Sequence, residues 1–399
     1  MAELFWWQRR DLAFGHEGLA LAGQPLAELA EQEGTPLYVY SLARIREKVR
    51  QLQQALSTVD AARRLYYAMK SNRHPSILRL LAEETTVGID ACSPGEVRRA
   101  LECGFVPERI SFTGYAVSRS DWRQLLAYPG LRINCDGLSA LREVGRQAPG
   151  RRLGLRLDPA LGVGYRGNRL VEYSGTAPAK FGIRADDLPK AREIAEEHGL
   201  VVEGLHCHAG CGYLGPQLEQ WSTVLACVAS CAAAFPALRY VNLGGGLGTP
   251  RQQGDERLDL AVWAEVVQRH FGGRGLEICF EPGDFLVKDA GVLILEVASI
   301  DHKAGVTFVG LNGGFNLHPE PAYYDLPLPA VPVAPREGAW RAVTLTGNIN
   351  EALDVWARDL PMPPLEIGDR VALLHAGGYG AAMSSQHCLR GEFSEYVLP

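Results

Sequence analysis

The chain has 399 residues, 47% of them apolar and 22% charged, with a formal net charge of −6. That balance argues against a nucleic-acid partner, which needs a basic face, and no apolar run is long enough for a membrane span. The N-terminus lacks the basic start and apolar stretch of a signal peptide, and the nine cysteines fall at no disulfide-like spacing, so a cytoplasmic protein with reduced thiols is expected.

This length exceeds what one hydrophobic core usually serves, so two domains are expected. Residues 36–40, Pro-Leu-Tyr-Val-Tyr, read as a strand. Ser41 is a plausible N-cap for a helix to about Leu56, whose apolar positions Leu42, Ile45, Val49, Leu52 and Leu56 share one face. Strand-like runs then recur at Arg64–Ala68, Val87–Asp90, Ile110–Thr113, Leu131–Cys135, Leu153–Leu157, Val202–His206, Tyr240–Leu243 and Glu277–Glu281. Helical stretches such as Pro94–Cys103, Leu188–His198 and Leu218–Ala234 lie between them. Such alternation predicts an α/β fold, a (β/α)8 barrel of the TIM type over residues 34–284, with an open doubly wound sheet as the alternative. After Gly283 the texture changes. Phe285–Ile300, Ala342–Leu345, Arg370–Leu374 and Glu395–Leu398 are rich in Val, Leu and Ile and are punctuated by Gly and Pro. Residues 285–399 therefore read as a β-rich second domain, barrel or sandwich, joined by short strands within residues 1–33.

The chemistry-bearing motifs sit at the ends of the predicted strands. Lys70 follows the strand ending at Ala68, at the mouth where barrel enzymes keep catalytic groups. Lost hydration there lowers an amine's pKa and readies it for imine formation. A lysine that snorkels to water is the blander reading, and position alone favours it. Gly244-Gly245-Gly246-Leu247-Gly248 follows another strand; its backbone N–H groups could close round a phosphate or simply make a tight turn. His206-Cys207-His208-Ala209-Gly210-Cys211 invites a metal reading, but no third ligand stands at a recognised spacing, so no metal is expected. Alternation along a strand would put His206 and His208 on one face, and His208 stacked on a flat ring fits better. Glu281-Pro282-Gly283 ends a further strand; its carboxylate could partner a pyridine nitrogen or be a solvated strand-end acid.

Taken in order, Tyr67-Ala-Met-Lys70, His206-Cys-His208-Ala-Gly210, Gly244-Gly-Gly246, Glu281-Pro-Gly283 and Gly377-Gly-Tyr379-Gly resemble the fold type III pyridoxal 5′-phosphate (PLP) enzymes, closest to the diaminopimelate decarboxylase branch. The resemblance runs from about residue 35 to the C-terminus. It implies that Lys70 carries the cofactor as a Schiff base, His208 stacks on its ring and Glu281 partners its nitrogen. Gly244, Gly245, Gly246 and Tyr379 match the phosphate site, while Gly283, Asp90, Glu96 and Arg156 match the pocket lining. Cys211 stands where the family has a phosphate-binding serine, and a thiol is a poorer donor.

Several positions depart from that pattern. The family reads a distal carboxylate with two arginines, whose places are taken here by Asp284 and by Glu320, four residues before the retained Tyr324. Asn350 replaces the cysteine that helps reprotonate the substrate carbon, and the retained Glu351 would meet a distal amine in a neighbouring subunit. Asp354 and Lys180 match a pair across that dimer. With no cysteine, the proton must come from water, from Lys70 or from His375. Three acids, Asp284, Glu320 and Glu351, would then face the distal end of the substrate and repel an anion. The expectation is α-decarboxylation of an amino acid or amino-acid conjugate with a cationic or polar distal group, in a homodimer with shared active sites. A PLP-dependent racemase or epimerase, a decarboxylative transaminase and a silent PLP-binding protein are the alternatives.

Overall fold

Eight of the apolar runs become parallel strands of one closed barrel: β1 Ala62–Ala68, β2 Val87–Ala91, β3 Ile110–Phe112, β4 Arg132–Cys135, β5 Arg152–Asp158, β6 Val201–Cys207, β7 Tyr240–Asn242 and β8 Glu277–Phe280. β8 pairs with β1, and β4 with β5, which closes the cylinder; the two-residue strand Ile183–Arg184 hangs on β5 outside it. The computed structural model describes residues 5–165, 168–171, 173–175 and 177–399. The chain divides into two compact units, residues 49–248 with 256–285, and residues 1–48 with 249–255 and 286–399. No helix among the described residues is long and apolar enough to cross a membrane.

The barrel strands are legible because parallel strands covered on both faces need near-continuous apolar runs. Inside, glycines trade places with large rings. A Cβ on Gly204 would lie 1.9 Å from the Tyr240 ring and one on Gly154 2.4 Å from its hydroxyl, so only glycine at both positions admits this ring. The Tyr240 hydroxyl donates to Asn134 Oδ1 at 2.9 Å, and the Arg132 guanidinium lies 4.1 Å from the ring centroid. Arg132 pairs in turn with Glu277 at 2.8 Å. This plug fills the barrel below the strand ends and leaves the upper mouth for the site.

The other unit is built on a mixed sheet in the order Ala330–Pro332, Arg370–Leu374, Gly291–Lys303, Val306–Leu311, Arg341–Thr346, Val355–Met362. One expectation is corrected here. Strand Leu37–Ser41, assigned by sequence to the barrel, pairs antiparallel with Gly291–Ile294 and parallel with Ser394–Leu398. A fully buried five-residue run carries no signal about its partner, because both faces are apolar whichever sheet receives it. Leu37 and Val39 join Val292, Ile294, Ala372 and Leu374 in one core. The three-stranded N-terminal sheet adds Leu12, Leu19 and Leu21 to that core, each burial contributing roughly 1.5–3 kcal/mol.

Candidate active site

In the barrel unit, the polar side chains gather at the C-terminal ends of the strands. β1 ends at Ala68, and a 3-10 turn, Met69–Ser71, lifts Lys70 to the mouth. That turn is held to the strand end of β8, since the Ala68 N–H donates to the Pro282 carbonyl at 3.1 Å. Gly283 sits against it, where a Cβ would be 3.1 Å from the Ala68 Cβ. Asp90 lies beside Ala68 in the β1–β2 register, and Lys70 Nζ donates to its Oδ2 at 3.2 Å. The lysine side chain is 44% exposed and the carboxylate 4%, so the amine is reachable while its partner is not. Burial, with Glu281 close by, pushes Asp90 up to about 7 against the pull of Lys70. A carboxyl raised above its unfolded value of 3.8 favours folding most below that value, and the contribution is lost as pH rises through about 7. Asp90→Asn is therefore expected to gain stability relative to wild type at pH 8, with the gain shrinking toward pH 4. Urea denaturation at the two pH values checks this; an equal difference at both would contradict it.

A second group is set by strand register. Arg156 on β5, His206 on β6 and Asn242 on β7 are direct neighbours in the ladder, and Asp136 follows the last residue of β4. Parallel strands in register point matched side chains to the same face, so the four form a row around the inner rim. Arg156 pairs with Asp136 at 2.8 Å and lies 4.5 Å from the Phe181 ring centroid. His206 Nε2 and Glu281 Oε2 are 2.8 Å apart, and Asn242 Nδ2 donates to Glu281 Oε1 at 2.6 Å. Burial alone would raise Glu281; the His206 ring, Lys70 and His208 together outweigh it and hold the carboxyl at about 2. Two carboxyls of one mouth, Asp90 and Glu281, are thus driven apart in acidity, a pattern typical of working sites.

The glycine run closes the rim. Gly244 and Gly246 have φ of +67° and +93°, the left-handed region that glycine adopts freely. A Cβ would lie 2.4 Å from the Cys207 carbonyl at Gly244, 2.2 Å from that of Glu281 at Gly245, and 2.2 Å from that of Gly210 at Gly246. The loop is therefore a cradle of bare backbone pressed between the histidine segment and the Glu281 strand end, of the kind that takes a phosphate. The Gly245 N–H donates to His208 Nδ1 at 3.3 Å, which fixes the ring's tautomer. Enclosure, with Arg156 and Lys70 nearby, pushes His208 well below its ordinary value, so its ring is neutral. Tyr173 meets it edge-on at 4.9 Å. β6 ends at Cys207, so His206 stands in the strand and His208 directly after it. Glu96 has a local role. Its carboxylate accepts the Cys92 N–H at 2.7 Å, and its own N–H donates to the Ser93 cap at 3.1 Å, which fixes the start of helix Pro94–Glu102. The Cys211 carbonyl accepts the Tyr165 N–H at 3.2 Å.

The remaining expected residues lie in the β unit. Glu320, expected to face a substrate, is buried and already matched: Arg251 Nη1 lies 3.1 Å away, His318 Nε2 3.2 Å, and Lys288 Nζ donates to the same carboxylate. Lys288 also donates to the Gly378 carbonyl at 2.9 Å and lies 5.8 Å from the Tyr379 ring centroid. Tyr379 has a φ of +58°. Tyr324 ends the short helix that Glu320 begins. Asn350 and Glu351 are exposed, with Glu351 3.5 Å from His387. Asp354 is buried and takes the Phe315 and Ile349 N–H groups, each at 2.7 Å, within its own unit. Lys180 lies 5.0 Å from the Tyr115 ring centroid. His375 is buried against Trp6, ring centroids 5.8 Å apart, and burial pushes it down to about 3. Sequence reading missed His206, Asn242 and Asp136 as site residues, and Arg251 and Lys288 as partners of Glu320. For the first three the signal was present: each is a polar residue at or just beyond the C-terminal end of an apolar strand.

A family model described as "Pyridoxal-dependent decarboxylase, pyridoxal binding domain" matches residues 42–288. A diaminopimelate decarboxylase from Methanothermobacter thermautotrophicus is 34% identical over 96% of this chain and 91% of its own length. One from Streptomyces coelicolor is 33% identical over 95% of this chain and 88% of its own. A crystal structure of diaminopimelate decarboxylase from Helicobacter pylori in complex with L-lysine superposes with a TM-score of 0.86 at 27% identity, covering 94% of each chain.

Proposed function

The chain belongs to the pyridoxal-dependent decarboxylases and is a PLP-using carboxy-lyase, and on that premise we propose that it removes the α-carboxylate of an amino acid with a cationic or polar distal end. When bound, the cofactor supplies an electron sink for the bond that breaks. The residues present fit it: a reachable lysine, a buried carboxylate held ionised, a neutral imidazole and a cradle of glycine backbone stand round one barrel mouth. In this reading Lys70 anchors the cofactor, and Asp90 beside it takes up or returns the proton of the amine. His208 offers a flat uncharged face, Glu281 partners the ring nitrogen, and Gly244–Gly246 hold the phosphate. Arg156 and Gly283 shape the pocket. The family match and the relatives' names favour none of the racemase, transaminase and silent alternatives.

Asp284 carries the substrate reading. It stands directly after the Glu281-Pro-Gly turn, where a carboxylate attracts a cation and repels an anion. Glu351 supports it as an exposed acid available to a neighbouring subunit, which makes a homodimer with shared sites part of the proposal. A mixture of Lys70→Ala and Glu351→Ala chains tests the sharing; restored turnover is expected, and none would contradict it. Glu320 no longer counts, because two cations already surround it. The relatives' names favour a second reading with an anionic distal group, as in diaminopimelate. Incubation with racemic lysine, racemic ornithine and meso-diaminopimelate, followed by mass detection of CO2 loss, separates the two. Faster loss from lysine or ornithine is expected; faster loss from diaminopimelate would overturn the first reading.

The proton that replaces CO2 comes from Lys70 or water in this proposal. His375 is neutral at working pH because burial lowers it to about 3, and Asn350 has no acidic proton. His375→Gln is expected to leave the pH profile of CO2 release between pH 6 and 9 unchanged in shape. Loss of one limb of that profile would return His375 to the list of donors.

A further inference from the structure

The rim row contains a histidine for which the proposed chemistry has no direct use. His206 is buried, and its Nε2 lies 2.8 Å from Glu281. An ionised carboxylate only accepts, so the ring must donate its Nε2–H. Asn242, from the next strand, donates to the other oxygen at 2.6 Å. The carboxylate is thus gripped at both oxygens by side chains from two adjacent strands in register, which fixes its plane as well as its charge. On the far side of the ring, His206 Nδ1 is buried without a hydrogen-bond partner, and so is Asp136 Oδ2 in the same row. Orphaned buried polar atoms are costly, and here the cost falls behind the one carboxylate on which the cofactor reading depends. The Asp136 carboxyl is itself raised by burial, with Arg156 and His206 pulling against that rise.

We propose that His206 is a positioning residue that, by clamping Glu281 together with Asn242, keeps that carboxylate ionised and aimed at the ring nitrogen of the bound cofactor. The inference rests on the cofactor reading of this site. It assigns no contact between His206 and substrate or cofactor; the residue acts through Glu281. The lowered pKa of Glu281 agrees with the geometry.

The test uses the full chain loaded with PLP labelled with 15N at the ring nitrogen. Solid-state 15N spectra across pH report whether that nitrogen is protonated. Wild type is expected to show the protonated resonance through neutral pH. In His206→Phe the resonance is expected to lose its proton at a lower pH, and kcat to fall roughly 10- to 100-fold, the range for partners that orient a working group. KM is expected to stay, as for an interaction felt in the transition state. His206→Gln, which retains a donor, is expected to lie between the two. A His206→Phe chain that carries PLP on Lys70 yet titrates like wild type overturns the proposal. If that chain does not fold, His206→Gln decides: a lowered titration pH supports the clamp, and a wild-type titration overturns it. A wild-type chain that takes up no PLP would instead defeat the cofactor reading, so the two failures are distinguishable.

Discussion

A Lys70→Ala chain is expected to release CO2 at least about 10³-fold more slowly than wild type, mid-range for loss of a positioned proton-transfer group and a lower bound where the anchor is lost too. Lys70 is a reachable amine at the barrel mouth, and its Nζ donates to Asp90 at 3.2 Å. Alanine removes the covalent attachment point and the amine that carries the proton, while leaving the strand end intact. The Ala68 N–H still meets the Pro282 carbonyl and the glycine cradle is untouched, so the variant is expected to fold and to bind PLP weakly. Peptide mapping after borohydride reduction checks the anchor. Wild type should carry the cofactor mass on the Lys70 peptide and the variant on none. Cofactor mass on another lysine, with turnover kept, would remove Lys70 from the centre of the mechanism.

The second large effect is expected in the β unit. Glu320→Leu should lower unfolding stability by about 3–5 kcal/mol at pH 7.5, the range for breaking a buried ion pair by removing one partner. The Lys288 side chain is fully buried and Arg251 nearly so, so both would lose their shared carboxylate in a place that water does not reach. Burial would raise Glu320, but Arg251 and Lys288, with His318, hold it well below the usual carboxylate range. A group depressed in the folded state contributes stability above its unfolded value of 4.5, and the contribution is lost as pH falls. The gap between wild type and variant should therefore narrow at pH 4. The double change Glu320→Leu with Lys288→Met should recover part of the loss, because it also removes the stranded ammonium. Guanidinium denaturation of the three chains decides the matter, and a single variant as stable as wild type at pH 7.5 would refute it.

The cluster also shows where sequence reading stops. The barrel was visible because each strand is an apolar run that ends in a turn or a chemical residue, and both signals are local. Lys70, His208 and Glu281 were visible for the same reason. Glu320 was read as a bare acid because Arg251 lies 69 positions away, and pairing across that separation leaves no trace in periodicity. Strand Leu37–Ser41 failed likewise: its residues specify burial but not which sheet buries them. Glu96 shows a third kind of limit. Ser93 three residues before a glutamate is a capping signal, which the ordered motifs overrode even though the helix uses it.

The rim row has a consequence for how the protein is made. Asp136, Arg156, His206, Asn242 and Glu281 stand in or directly after five different strands, so no short fragment of the chain holds the row. The last barrel strand to be synthesised, Glu277–Phe280, must insert between Tyr240–Asn242 and Ala62–Ala68 before the ring is complete. Such distant pairings form late and slowly. A ligand that recognises only the finished rim then stabilises the closed state by mass action. Cofactor supply would in this way govern how much of the newly made chain survives as closed barrel, as well as how much of it is active.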